Sequence, residues 1–253
     1  MSGHSKWAQI RRSKGVNDAR RGQLFTRLGR EIVVAVREGG SGDPDANFRL
    51  RMAVQRARDA NMPLDNIERT IKRALGGTEG ANLEEITYEG YGPGGTALLV
   101  QTLTDNRNRT VADVRNAFNR NGGNMGENGC VDWLFEAKGV IEVALEGHDP
   151  DELSLEVLDM GADDVEPARP DDEILIVYTD PTELDKVHQA LEEKHYKVLK
   201  AERTMIPKTK VELSDEKVAH QVIRLIEKLE DLDDVQNVYS NADFPEEFAT
   251  SYA

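Results

Sequence analysis

Hydrophobic positions recur every three to four residues through the first eighty and then give way to β-rich runs separated by glycines. Leu24, Leu28, Ile32 and Val36, with Phe25 and Ala35 beside them, predict a helix over about 17–38, which Gly39-Gly40 closes; Arg27, Arg30 and Arg37 make a stripe roughly opposite. Asp43-Pro44 supplies a cap and a first helical residue for a second helix reaching about Ala60, with Leu50, Ala53, Val54 and Ala57 inward. Pro63 opens a third, with Leu64, Ile67, Ile71 and Leu75 as its core face and Arg69, Lys72 and Arg73 outside, and Gly76-Gly77 stops it.

Strands are expected over 85–91 and 96–103, flanking the turn Gly92-Pro93-Gly94-Gly95 as a hairpin. A polar loop at 105–110 leads into a helix to about Asn121, with Val111, Val114 and Phe118 inward, and a strand is expected at 129–135. Residues 134–206 read as strand 139–145, helix 149–160, strands 163–166 and 173–178, helix 180–194 and strand 197–205, the βαββαβ order of the ferredoxin-like arrangement. Both helices begin with Asp-Pro and a Glu at the third position, Asp149-Pro150 and Asp180-Pro181. A strand at 208–213, a helix at 214–230 and a strand at 235–239 complete a second such set with 96–135, and the tail after Asn241 is expected to fray. The expected fold class is α+β. An all-α domain (1–80) precedes two ferredoxin-like α/β domains, one of them (134–206) inserted into the other (81–133 plus 207–241).

Charge changes this picture from architecture to chemistry. Over the 253 residues the formal net charge is −15, yet residues 1–37 hold nine Lys or Arg against two acids. Residues 1–80 carry +7, residues 81–253 carry −22, and 134–206 alone carry −13. A basic end on an acidic chain points to a polyanion, with nucleic acid the first candidate, and keeps 134–206 off phosphate. The single cysteine, Cys130, excludes an intramolecular disulfide. No apolar run reaches the roughly 18–20 residues of a membrane span, and the basic start lacks the apolar stretch of a secretory signal, so a cytoplasmic location is expected.

The residues proposed to touch nucleic acid are His4, Lys6, Trp7, Arg11, Arg12, Lys14, Arg20, Arg21, Arg27 and Arg30. Lys and Arg there would neutralise phosphates, Trp7 would stack on a base or dock onto its own domain, and His4 would add a pH-sensitive contact. Arg107 and Arg109 form a second candidate contact at a helix N-terminus, where free N–H groups favour anions; in the rival reading Asp105, Asn106 and Asn108 only cap that helix. Arg115 and Arg120 would extend the same surface.

Tyr88–Gly95 lacks the Gly-Lys-Ser/Thr ending of a triphosphate loop and reads as a hairpin, its tyrosines offering stacking surfaces. Catalysis has little to stand on. Cys130 has no histidine nearby in sequence and reads as a buried strand residue, and His188 and His195 are seven apart rather than four. Asp163-Asp164 with Asp171-Asp172-Glu173 could hold a divalent cation but reads as a solvated loop, so no metal site and no cofactor are expected.

Several runs in order carry a family resemblance over nearly the whole chain: Gly3-His4-Ser5-Lys6-Trp7, Arg21-Gly22-Gln23-Leu24-Phe25-Thr26, Arg37-Glu38-Gly39-Gly40, Asn61-Met62-Pro63, Tyr88-Glu89-Gly90-Tyr91-Gly92-Pro93-Gly94-Gly95 and Thr104-Asp105-Asn106-Arg107-Asn108-Arg109-Thr110. The chain resembles the YebC/PmpR family of bacterial regulators, which includes the mitochondrial translational activator of cytochrome c oxidase. The resemblance implies a helical first domain and two α/β domains. It also implies a regulator of gene expression acting on DNA in transcription, or on ribosomal RNA or the ribosome in translation. Gln23 and Leu64 stand where similar proteins often carry lysine, each removing a phosphate contact. A third reading is a protein adaptor whose acidic 134–206 segment docks to a basic partner.

Overall fold

The computed structural model describes residues 18–76, 83–168 and 172–244, which divide into two compact units, 135–206 and the rest.

In the larger unit, helices α1 (Asp18–Gly39), α2 (Phe48–Asp59) and α3 (Leu64–Leu75) pack around Leu28, Ile32, Val36, Leu50, Ala53, Val54, Ala57 and Ile67. The periodicity therefore identified the core faces of α1 and α2. Two expectations change. Asp43-Pro44 forms a turn, and α2 starts five residues after Asp43, at Phe48, because Asn47 is the better cap: it is buried, accepts from Leu50 N at 3.1 Å, and donates to Ala35 O at 2.8 Å, tying α2 to α1. On α3 the inward positions are Ile67, Ile71 and Ala74, whereas Leu64 and Leu75 are each 57% exposed. The apolar stripe is narrower than its leucines suggest.

Strands β1 (Glu84–Tyr91) and β2 (Ala97–Thr104) form the expected antiparallel hairpin, Tyr91 facing Ala97, with Gly94 and Gly95 at φ +71° and +75° in the turn between them. Helix α4 (Arg107–Arg120) and strand β3 (Asn124–Met125) follow, then α7 (Glu216–Glu230) and β9 (Val235–Ser240) after the inserted unit. The sheet order is β3-β1-β2-β9, with α4 and α7 burying Tyr88, Leu98, Val100, Phe118, Val222 and Ile226 in one core. The α+β class and the helical first region hold, but the strands of this part are placed differently from a second βαββαβ set. The β1–β2 hairpin belongs to the sheet. Val211–Glu212 (β8) leaves the sheet and pairs in parallel with Ala242–Asp243 (β10). The chain after Asn241 is thus held, not frayed, as far as the buried Phe244; Asn241 Oδ1 accepts from Ala97 N at 2.7 Å to start it.

The expected strand at 129–135 is a turn and a 3-10 segment, Asp132–Leu134. Its ladder donors are taken. The buried Glu89 carboxylate accepts from the N–H groups of Gly129 (2.5 Å), Val131 (2.7 Å) and Asp132 (2.8 Å). Cys130 accordingly sits half-buried in a turn and not in a strand.

The smaller unit contains β4 (Phe135–Ala144), α5 (Pro150–Asp159), β5 (Asp164–Val165), β6 (Ile174–Thr179), α6 (Leu184–Glu193) and β7 (Val198–Pro207), the last of which runs one residue past the unit. Its sheet order, β5-β6-β4-β7, is that of the ferredoxin-like arrangement. Asp149 caps α5 as expected, accepting from Asp151 N and Glu152 N. Asp180 instead closes a short turn by accepting from Thr182 N at 2.8 Å, which delays α6 to Leu184.

Ile141, Val143, Leu153, Val157, Leu175, Val177, Val187 and Leu191 are all buried within this unit, so it has a sheet, two helices and apolar residues to cover them. The excised segment 135–206 is expected to fold alone and give a well-dispersed amide NMR spectrum; a collapsed spectrum would show that it needs the flanking chain.

Candidate nucleic-acid interface

Gln23, Arg27 and Arg30 occupy successive positions along α1, and all three reach the end of α7 and the turn after it. Arg27 donates to Glu230 O, and Gln23 Nε2 lies 3.4 Å from Asp231 O and 3.3 Å from Asp233 Oδ1. The last carbonyls of a helix lack intrahelical donors and hold the negative end of its dipole, so a guanidinium is a favourable partner there. Arg30 donates to Asp233 O and to Asp234 Oδ1, each at 2.9 Å, with Leu103 O at 3.3 Å. The arginine stripe of α1 thus faces its own α/β sheet for these two residues.

Asp234 is the meeting point. Its buried carboxylate takes Arg30 on Oδ1 and Arg109 Nη2 on Oδ2 at 2.7 Å, and Thr110 Oγ1 donates to Oδ2 at 2.8 Å. Asn106 caps α4, accepting from Arg109 N at 3.1 Å, and its own N–H donates to Thr104 Oγ1 at 2.9 Å. Burial alone would raise the Asp234 carboxyl, but the bonds from Arg109, Thr110 and Arg30 outweigh it and hold the carboxyl below its ordinary value. In the run Thr104–Thr110, then, Thr104, Asn106, Arg109 and Thr110 build a joint around one carboxylate.

The structure separates the candidate residues accordingly. Arg27, Arg30 and Arg109 are engaged within the chain, and Arg109 also pairs with Asp105 at 2.9 Å. Arg107 is exposed, as are Arg115 and Arg120 on the same helix and Arg58 and Arg69 on α2 and α3. Arg49 bridges Glu38 and Glu85, and Arg56 pairs with Glu31 at 3.3 Å. His4, Lys6, Trp7, Arg11, Arg12 and Lys14 lie outside the described residues; Arg20 and Arg21 fall in the first turn of α1, where side chains are not described. The role of Asp234 carried no local signal in the sequence, since its partners are about 200 and 125 residues away. The Thr-Asp-Asn-Arg run was visible, but nothing tied it to that acid.

Glu89, inside the Tyr88–Gly95 run, is the second buried carboxylate that sequence reasoning missed. Burial would raise it, and the three backbone N–H groups of the 129–132 turn bring it below its ordinary value. Gly90 lets β3 approach here, since a Cβ would lie 2.7 Å from Asn124 O. Burial, with the charge of Glu89 adding to it, pushes the Cys130 thiol up and away from the thiolate a nucleophile needs. Among the described residues, no group of three or more His, Cys, Asp or Glu is arranged to hold a metal ion, and no helix is long and apolar enough to cross a membrane.

Known proteins resemble this chain along almost its full length. Residues 5–77 match the TACO1/YebC protein N-terminal domain, and residues 83–242 match the TACO1/YebC second and third domain. A protein of Chloroflexus aurantiacus named as a probable transcriptional regulatory protein is 58% identical over 254 residues, covering 100% of this chain and 99% of that one. A protein of the same name from Roseiflexus castenholzii is 56% identical over 256 residues, with 100% and 99% covered. The crystal structure of a conserved hypothetical protein from Aquifex aeolicus superposes with a TM-score of 0.79 at 48% identity, covering 90% of this chain and 93% of that one.

The joint at Asp234 makes two expectations. Asp234→Ala removes charge-assisted bonds to Arg30 and Arg109, and chemical denaturation should show a loss of about 1–3 kcal/mol. The folded carboxyl binds a proton less readily than the unfolded one. Its contribution is therefore complete above the unfolded value of roughly 3.9 and is lost as pH falls through the lower folded value. Asp234→Asn should flatten the acid limb of the stability profile below about pH 4; an unchanged limb would remove Asp234 from this role.

Proposed function

The chain belongs to the TACO1/YebC family, and we propose that it is a non-enzymatic, cytoplasmic regulator of gene expression that works by gripping nucleic acid with its basic N-terminal end. The observation that carries this reading is the division of charge, +7 over residues 1–80 against −22 over the remainder. The reading has three parts: a basic helical domain (1–80), a discontinuous α/β domain (81–133 plus 207–241) that anchors it, and an inserted acidic domain (134–206) that stays off phosphate.

Phosphate contact falls to His4, Lys6, Arg11, Arg12, Lys14, Arg20 and Arg21, with Arg107 as a further point on the exposed first turn of α4. Arg30 and Arg109 position those residues through the joint at Asp234, and Arg27 through the Glu230 carbonyl, since their guanidinium groups already have partners within the chain. Relatives named as probable transcriptional regulatory proteins favour DNA as the target. Binding to ribosomal RNA in translation is the second reading, and the engagement of Arg27 and Arg30 favours it. A helix whose arginine stripe is partly turned onto its own sheet offers less to a DNA groove, and backbone or shape contacts suit RNA. The −13 charge of 134–206 supports a docking role toward a basic protein beside either function.

Reversing the charge of Arg11, Arg12, Arg20 and Arg21 together should abolish binding with circular dichroism unchanged. Neutralising the four instead should lower the slope of log affinity against log salt by about 3–4 for duplex DNA. A folded charge-reversed variant with native affinity would defeat the reading. Ultraviolet cross-linking in cells then separates the targets, with reads on promoter DNA marking transcription and reads on ribosomal RNA marking translation.

A further inference from the structure

Trp133 is 64% exposed and Tyr91 is 40% exposed, whereas most large apolar side chains among the described residues are covered. Neither ring is loose. Trp133 Nε1 donates to Cys130 O at 3.1 Å, and the Tyr91 hydroxyl donates to the same carbonyl at 2.9 Å, so one acceptor holds both polar tips side by side. That carbonyl is itself fixed, because the peptide groups around it donate to the buried Glu89 carboxylate from Gly129, Val131 and Asp132. The far side of the turn is pinned as well: Lys208 N donates to Leu134 O at 2.8 Å, and Lys208 Nζ to Trp133 O at 3.2 Å.

With both of their hydrogen-bond donors engaged internally, the two aromatic residues offer a partner mainly their carbon faces and edges. We propose that Trp133 and Tyr91 form a stacking platform for unpaired nucleobases, a second contact for the nucleic acid that the basic end grips; the inference rests on that functional reading. Exposed aromatic rings that are already immobilised lose little entropy on stacking, and every base has a π face, so the contact is tolerant of sequence. The Lys208 ammonium stands at the edge of the indole's own peptide, and exposed Lys210 follows it. Exposed Glu127 and Asp132 flank the turn and offset the charge of Lys208 and Lys210, so the site has no one-sided positive charge for a phosphate, and the aromatic faces are its distinguishing feature. Stacking and phosphate neutralisation therefore have different salt signatures, and the platform belongs to the first kind.

The chain contains two tryptophans, so in the full-length Trp7→Phe background Trp133 is the only indole. Titration with short single-stranded RNA and DNA oligonucleotides of mixed sequence is expected to quench its fluorescence in step with the anisotropy of a labelled oligonucleotide. Trp133→Ala should weaken binding about 5- to 150-fold with the salt slope unchanged, and Trp133→Phe should retain most of the affinity. Both substitutions are on an exposed side chain, and circular dichroism checks the fold. Anisotropy that reports binding while the indole signal stays flat and Trp133→Ala binds normally would overturn the platform but leave the functional reading intact; quenching by a proline-rich peptide instead would assign the rings to a protein partner. The anisotropy of the labelled oligonucleotide with the unsubstituted chain sets the reference, and failure of every oligonucleotide to bind that unsubstituted chain would overturn both.

Discussion

One carboxylate ties the helical region of the larger unit to its sheet. Asp234 lies just beyond α7, is almost fully buried, and collects Arg30 from α1, Arg109 and Thr110 from α4, and the neighbourhood of Thr104 at the end of β2. A buried carboxylate without partners would cost several kcal/mol, so this acid can stay ionised only if those donors arrive together. The requirement links the helical region, the hairpin and the two sheet-covering helices into one cooperative arrangement. Arg27 and Gln23 extend the same contact over the last carbonyls of α7.

That constraint divides the basic residues into two populations with different work. Arg27, Arg30 and Arg109 fasten the helices to the sheet, and an oligonucleotide would have to break existing charge-assisted bonds to recruit them. Under the proposed function, phosphate contact would fall to the basic residues nearer the start of the chain, with exposed Arg107. Rigid placement of the helical region would then aim that basic end. The unit 135–206 has its own sheet, and residues 134–206 carry −13, so this part of the chain would contribute repulsion rather than affinity toward phosphate. Binding strength and orientation would thus come from different residues.

Much of this fold could be read from local pattern, and the failures share one cause. The apolar faces of α1 and α2, the Gly92–Gly95 hairpin turn and the βαββαβ order of the inserted segment follow from periodicity and turn chemistry, which act over a few residues. Three Asp-Pro pairs looked alike, yet only Asp149-Pro150 starts a helix; Asn47 displaces one of the others through a bond to Ala35 O, and Asp180 closes its own turn. The strand expected at 129–135 was lost to Glu89, some forty residues earlier, which takes its N–H groups. The arginines of α1 looked solvent-facing because the helix wheel shows which side is polar and not what lies beyond it. In each case the deciding partner is distant in sequence and polar, and hydrophobic periodicity carries no information about it.

Photochemical cross-linking of the full chain to bound nucleic acid, with the modified peptides mapped by mass spectrometry, addresses the division of labour most directly. Cross-links concentrated in residues 4–21, with none in 135–206, are the expected result. Cross-links confined to 135–206 would contradict it, because an acidic unit would then be the nucleic-acid surface and the basic end would have some other partner.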